Sequence, residues 1–208
     1  MTTVEQQLAD QNPFSTRFVK PGAIDYVFME RDVNLDVLAK RLEASRWQGQ
    51  IVGPHGSGKT TLAHALRRTL ESLGQRTILV KVCDGWQARR ELKGALRKSR
   101  RGSLLVVDGY EQLRWPTRWS LGFRCRQSQM GLLAIAHRSV GLPLLYETRV
   151  TQELAERVVA ELLQPSEQRL APQEVERARR ACGDNLRETL FALYDAVEQR
   201  RATAAHTV

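Results

Sequence analysis

Long apolar runs are missing from this 208-residue sequence: none approaches the roughly 20 residues a membrane-spanning helix needs. Cysteine is scarce. Cys83, Cys125 and Cys182 are odd in number and far apart, so they fit neither a disulfide framework nor a metal site, and a reducing cytoplasm is the expected compartment. The N-terminal stretch MTTVEQQLADQNP is polar and acidic, unlike a secretory signal. Lysine is rare as well, for 26 of the 32 basic residues are arginine. Internal repeats and low-complexity tracts are absent. A chain of this length can bury one good core and carry a small appendage. The net charge of +9 favours acidic partners, either nucleic acid or an acidic protein, although an arginine-rich genome gives the same bias.

What the sequence does have is GPHGSGKTT, from Gly53 to Thr61. It fits G-x-x-x-x-G-K-[ST], a pattern that works between a strand and a helix. Gln48 to Val52 can enter as a buried strand, and Leu62, Ala65, Leu66, Thr69, Leu70 and Leu73 follow at helical spacing. Gly53, Gly56 and Gly58, with Pro54, His55 and Ser57 between them, let the backbone bend and turn several N–H groups to one point. A helix N-terminus adds further donors and the positive end of its dipole, so a phosphate chain settles there. Lys59 reaches the outer phosphates and the Thr60 hydroxyl takes a Mg2+ position; Thr61 is the last residue of the nucleotide-binding run.

The remaining elements fall in order. Residues 1–31 read as an irregular arm broken by Pro13 and Pro21-Gly22. Its Phe14, Phe18, Tyr26 and Phe28 either pack on a flank or offer a face to a base. Asn34 caps a helix through Ser45. Strands are expected over 76–83, 103–108, 131–137 and 142–148, with a helix over 86–99 that puts Arg89, Lys93, Arg97 and Arg101 outside. That stripe is a solvated face or a phosphate-backbone contact. In 113–130, Arg114, Arg118, Arg124 and Arg126 alternate with Trp115, Trp119 and Phe123. Packing is the favoured reading of the tryptophans, and base stacking the other. Helices are expected over 151–163, 172–182 and 184–200, with Gly183 at a break.

Asp108 ends the third strand, where a Walker-B carboxylate holds a metal-bound water. The run VVDGYEQL resembles the D-G-x-[DE] form of signal-transduction ATPases of the STAND group; Gly109 and Tyr110 separate Asp108 from Glu111. By that resemblance Glu111 orients the attacking water. His137, at the end of the fourth strand, holds the place called sensor 1 in AAA+ ATPases. GDNLRETL resembles the sensor-2 segment, with Arg187 as the arginine that folds over the phosphates.

From about residue 30 to 200 the order resembles the AAA+/STAND branch of P-loop NTPases. The resemblance implies an α/β, three-layer fold, with a five-stranded parallel sheet in the order 5-1-4-3-2 and a small C-terminal helical lid. The domain boundaries it suggests are an arm over 1–31, a core over 32–150 and a lid over 151–208. Too few residues separate the fourth and fifth strands for the helix that bears the arginine finger in AAA+ rings, so ring assembly through that finger is not expected. The function implied is a Mg-ATP-binding, ATP-hydrolysing switch. ATP is the default nucleotide because no guanine-specifying N-K-x-D occurs. Two rivals stay open: a small-molecule kinase using Asp84-Gly85 to receive a substrate hydroxyl, and a nucleic-acid-associated ATPase.

Overall fold

The computed structural model of the chain describes residues 12–15, 19, 24–82, 86–164, 170–183 and 185–205, with backbone alone at 86–89, 204 and 205. Phe18, Pro21-Gly22, Cys83, Asp84-Gly85 and the Arg89 side chain lie outside the described residues. No helix among the described residues is long and apolar enough to cross a membrane. The chain divides into two compact units.

The first, Glu30–Pro54 with Lys59–Thr148, holds the sheet. Its elements are α1 (Leu35–Ala44), β1 (Gln48–Val52), α2 (Lys59–Ser72), β2 (Thr77–Lys81), α3 (Trp86–Lys98), β3 (Leu104–Asp108), a 3-10 turn (Tyr110–Gln112), α4 (Trp115–Gln127), β4 (Gly131–Ala136) and β5 (Leu144–Glu147). All five strands are parallel in the order β2-β3-β4-β1-β5, the order that the resemblance implies. Asn34 caps α1 as expected, its side chain accepting from Val37 N.

Both faces of this sheet are covered, which is why β4 is apolar throughout and β3 is apolar up to its terminal Asp108. Alternation along the strands sorts the two sides. Leu105, Val107, Leu132 and Ala134 pack with Leu92, Ala95, Leu121 and Cys125 of α3 and α4. On the other side Leu133 and Leu145 approach Gly49 together with Leu42 of α1. Burial pushes the Cys125 thiol up to about 11, so it behaves as a small apolar side chain rather than a nucleophile.

Between β4 and β5 the described chain forms no helix. Buried Gln50, on β1, braces the link instead. Its Nε2 donates to Leu142 O at 2.7 Å and to Ser139 Oγ at 3.0 Å, and its Oε1 accepts from Val140 N at 2.7 Å. One side-chain amide thus satisfies backbone groups that a helix would satisfy internally.

The second unit has its described residues within Met1–Met29, His55–Gly58 and Arg149–Val208. Its helices are α5 (Gln152–Leu163), α6 (Pro172–Cys182) and α7 (Leu186–Ala205). Phe14, fully buried, lies in their core with Leu154, Val158, Val175, Leu193 and Val197. Asn12 fixes it there: its Nδ2 donates to Tyr194 O at 3.0 Å and Glu198 Oε1 at 2.8 Å, while its Oδ1 accepts from Phe14 N. For Phe14 the packing reading of the arm therefore holds.

Candidate nucleotide site

The loop after β1 has the conformation its glycines permit. Gly56 and Gly58 sit at φ +70° and +86°, a region other residues rarely enter. A Cβ on Gly56 would come within 1.8 Å of Asn185 Oδ1, so the start of α7 abuts the loop within the second unit. There Asn185 Oδ1 also accepts from Glu188 N at 3.2 Å, and Arg187, exposed, follows two residues on. The Tyr26 ring lies against Gly58, with Cε2 at 3.3 Å from the place a Cβ would take, and makes an edge-on contact with Phe28. Pro54 and His55 are exposed and Ser57 is buried.

In the sheet unit, Lys59 is the first residue of α2 and is 7 % exposed. Its Nζ donates to Gly53 O at 2.8 Å and Pro54 O at 2.5 Å. A buried ammonium must be partnered, and here the loop's own carbonyls serve. Thr60 Oγ1 donates to Asp108 Oδ2 at 3.0 Å. The threonine of the loop and the acid that ends β3 therefore share one place. Thr61 is half-buried on the same helix.

Glu111 and His137 come together as well. Asp108 pairs with Ile135 across β3 and β4, so residues just beyond the two strand ends are neighbours. Gly109, at φ +80°, then turns the chain into the 3-10 turn; any side chain there would press on Val82 O at 2.8 Å. The turn brings Glu111 Oε1 to 3.3 Å from His137 Nε2. Glu111 Oε2 is buried and has no hydrogen-bond partner among the described residues. Arg118 holds the backbone here, donating to the carbonyls of Leu113, at 2.6 Å, and of Glu111.

No protein-family profile matches the chain. Among solved structures it is similar to the replication initiator DnaA bound to AMPPCP and single-stranded DNA, with a TM-score of 0.59 and 20 % identity over 83 % of this chain and 62 % of that one. A point mutant of RuvB from Thermotoga maritima gives 0.54 and 18 %, covering 82 % and 62 %. AMPPCP-bound DnaA from Aquifex aeolicus gives 0.53 and 17 %, covering 85 % and 68 %.

The chain has the AAA+ P-loop NTPase fold.

A further match is to a curated protein of Archaeoglobus fulgidus described as "Probable adenylyl-sulfate kinase", 55 % identical over 42 residues, which are 20 % of this chain and 25 % of that protein. The chain thus spans a quarter of the curated relative it matches and 62–68 % of the DnaA and RuvB chains.

The structure brings Lys59, Thr60 and Asp108 into one group and Glu111 and His137 into another, and carries Arg187 on the helix end that meets Gly56. Asp84-Gly85, the expected kinase acceptor, lies outside the described residues. Sequence reasoning missed Asn185 and Gln50, and it read Arg118 only as one of the arginines interleaved with the tryptophans. Asn185 stands two residues before Arg187, in the position of a helix N-cap, and that signal was available. For Arg118 and Gln50 no local pattern exists, because their partners are backbone atoms set by the fold.

The packing expected of Trp115 and Trp119 does not occur: they are 74 % and 68 % exposed. Lys93 and Arg97 are exposed on α3, as expected of its outer stripe.

Proposed function

We infer that the chain binds Mg-ATP on Gly53–Thr61 and hydrolyses it as a nucleotide-controlled switch. The observation that carries this reading is the 3.0 Å hydrogen bond from Thr60 Oγ1 to Asp108 Oδ2, which joins the G-x-x-x-x-G-K-[ST] loop to the Walker-B carboxylate. The ATP analogue in the DnaA structures agrees with it.

The donor set suits magnesium. It offers hard oxygens from one hydroxyl and one carboxylate, and no group of three or more His, Cys, Asp or Glu side chains that could hold a metal exists among the described residues. Mg2+ is held in this way, by one or two protein oxygens together with phosphates and waters. Thr60 and Asp108 would hold it, and bound there it supplies charge neutralisation to the phosphates. Lys59 leaves the carbonyls of Gly53 and Pro54 to take phosphate oxygens, exchanging neutral acceptors for charged ones. Glu111 receives and orients the attacking water through its buried, unpartnered Oε2, while His137 fixes the other carboxylate oxygen. Arg187, at the start of α7 in the same unit as Gly56, adds charge at the phosphates. Phosphoryl transfer asks mainly for such positioning and charge, with little covalent work from the protein.

The sheet order favours this over a small-molecule kinase, since β4 lies between the P-loop strand β1 and the Asp108 strand β3. The short kinase match keeps the rival testable. Phosphate release by purified protein with Mg-ATP is the deciding assay. Free phosphate without any added metabolite is expected, and phosphate appearing only on an added metabolite favours the kinase. Lys59→Ala should cost at least about a hundredfold in ATP affinity by calorimetry, given the strength of charge-assisted contacts to phosphate. Unchanged affinity removes the site.

A further inference from the structure

Helix α4 sends its largest apolar side chains outward. Leu121 and Cys125 enter the core, but Trp115, Trp119 and Phe123 are 74 %, 68 % and 51 % exposed. They recur every four residues and so share a face. Trp119 and Phe123 lie nearly parallel, with centroids 6.2 Å apart and planes within 10°. Arg124 and Arg126 are exposed on the same helix, which contains no Asp or Glu, and Arg114 is exposed at its N-cap. Beside it a groove of about 450 Å3 runs between α3 and α4, with Leu92, Leu96 and Leu121 as apolar lining and Lys93, Arg97 and Arg124 as cations.

These features select one kind of occupant. Cations alone suit any acidic surface, and aromatic rings alone suit any apolar one. Flat rings interleaved with cations suit a chain that alternates phosphates with flat rings. A duplex hides its ring faces in its own stack, so the strand must be unpaired. We propose that α3 and α4 form a docking surface for single-stranded nucleic acid, with bases stacking on Trp119 and Phe123 and phosphates following Lys93, Arg97 and Arg124.

Arg118 connects this surface to the chemistry. It belongs to α4, its guanidinium carbon lies 5.9 Å from the centre of the Tyr110 ring, and it donates to the carbonyl of Glu111. A strand that displaces α4 therefore displaces Glu111 through Arg118, a positioning residue. This link rests on the role given to Glu111 above; the docking surface does not.

Fluorescence anisotropy of labelled oligo(dT), about 20 nucleotides long, with the full chain at low salt tests the docking; sites of this kind cover roughly 4–16 nucleotides. Binding is expected, weakened about tenfold by Trp119→Ala, with the log–log salt slope reduced by about one in Arg97→Ala. Both side chains are exposed, and equal melting temperatures confirm that the variants fold. Absence of binding, affinity indifferent to Trp119→Ala, tighter binding of the same-length duplex, or displacement by polyglutamate at equal charge each overturns the proposal. The last result would assign the surface to an acidic protein. Oligo(dT) should also raise ATP turnover in kcat rather than KM, and Arg118→Ala should remove that stimulation while keeping the isotherm. Binding without stimulation overturns the Arg118 link. An intact isotherm with no turnover under any condition defeats the hydrolytic reading and leaves the docking surface standing.

Discussion

Asp108 and Glu111 stand three residues apart at the end of the same strand, yet their surroundings differ. Asp108 is answered by the chain itself, through the Thr60 hydroxyl at 3.0 Å. Glu111 is half answered: Oε1 meets His137 at 3.3 Å, while Oε2 is buried and has no partner among the described residues. An unmatched buried acceptor costs about 1–3 kcal/mol. The protein tolerates that cost at Glu111 and avoids it at Asp108. Under the roles proposed above, the difference teaches that the metal side would be organised before any ligand arrives, whereas the water side would be completed by what binds.

The sharpest way to break the comparison is Glu111→Gln. The amide keeps the shape and removes the charge, so turnover should fall by roughly 10²–10⁴ while ATP affinity stays within about twofold. Equal losses in both would make Glu111 a binding residue and end the distinction. Asp108→Asn should act the other way, lowering the Mg2+ enhancement of ATP affinity by on the order of a hundredfold, read by titrating ATP with and without Mg2+. His137→Ala releases one oxygen of Glu111 and leaves the carboxylate in place, so a loss of about tenfold in kcat is expected, at the low end of what general acid–base groups contribute. A loss as large as that of Glu111→Gln would give His137 a direct part in the chemistry. The smallest effect on chemistry should come from Gln50→Leu, distant in role from both carboxylates. It leaves Val140 N and Leu142 O without their partner and should lower Tm by about 4–8 °C, equivalent to roughly 2 kcal/mol. Turnover should be unchanged below the transition, and a large loss would mean the β4–β5 link reaches the site.

Much of this contrast could be seen in the linear chain. Lys59, Thr60 and Asp108 carry their meaning in spacing, because a phosphate loop needs its lysine and hydroxyl at fixed offsets and a strand end needs its acid. The strands showed equally well, with β1 expected and found at Gln48–Val52, and β5 expected over 142–148 and found at Leu144–Glu147. The tryptophans did not. Residues 115 and 119 occupy one helical face whether it looks inward or outward, and periodicity cannot tell which. Leu121 and Cys125 take the inward face, leaving Trp115, Trp119 and Phe123 outside.

By itself the sequence determined the order of the elements, the glycine-rich loop between β1 and α2 and the identity of the acid at the end of β3, since each follows from residue type at a local spacing. Only the tertiary structure decided that Glu111 meets His137, that Gln50 braces a link with no helix, that Asn185 seats on Gly56 and that α4 presents its rings outward. Those pairings join positions 26, 90 and 129 residues apart along the chain, or depend on which face of a helix finds the core, and distances of that kind are fixed by strand register and packing rather than by neighbouring residues.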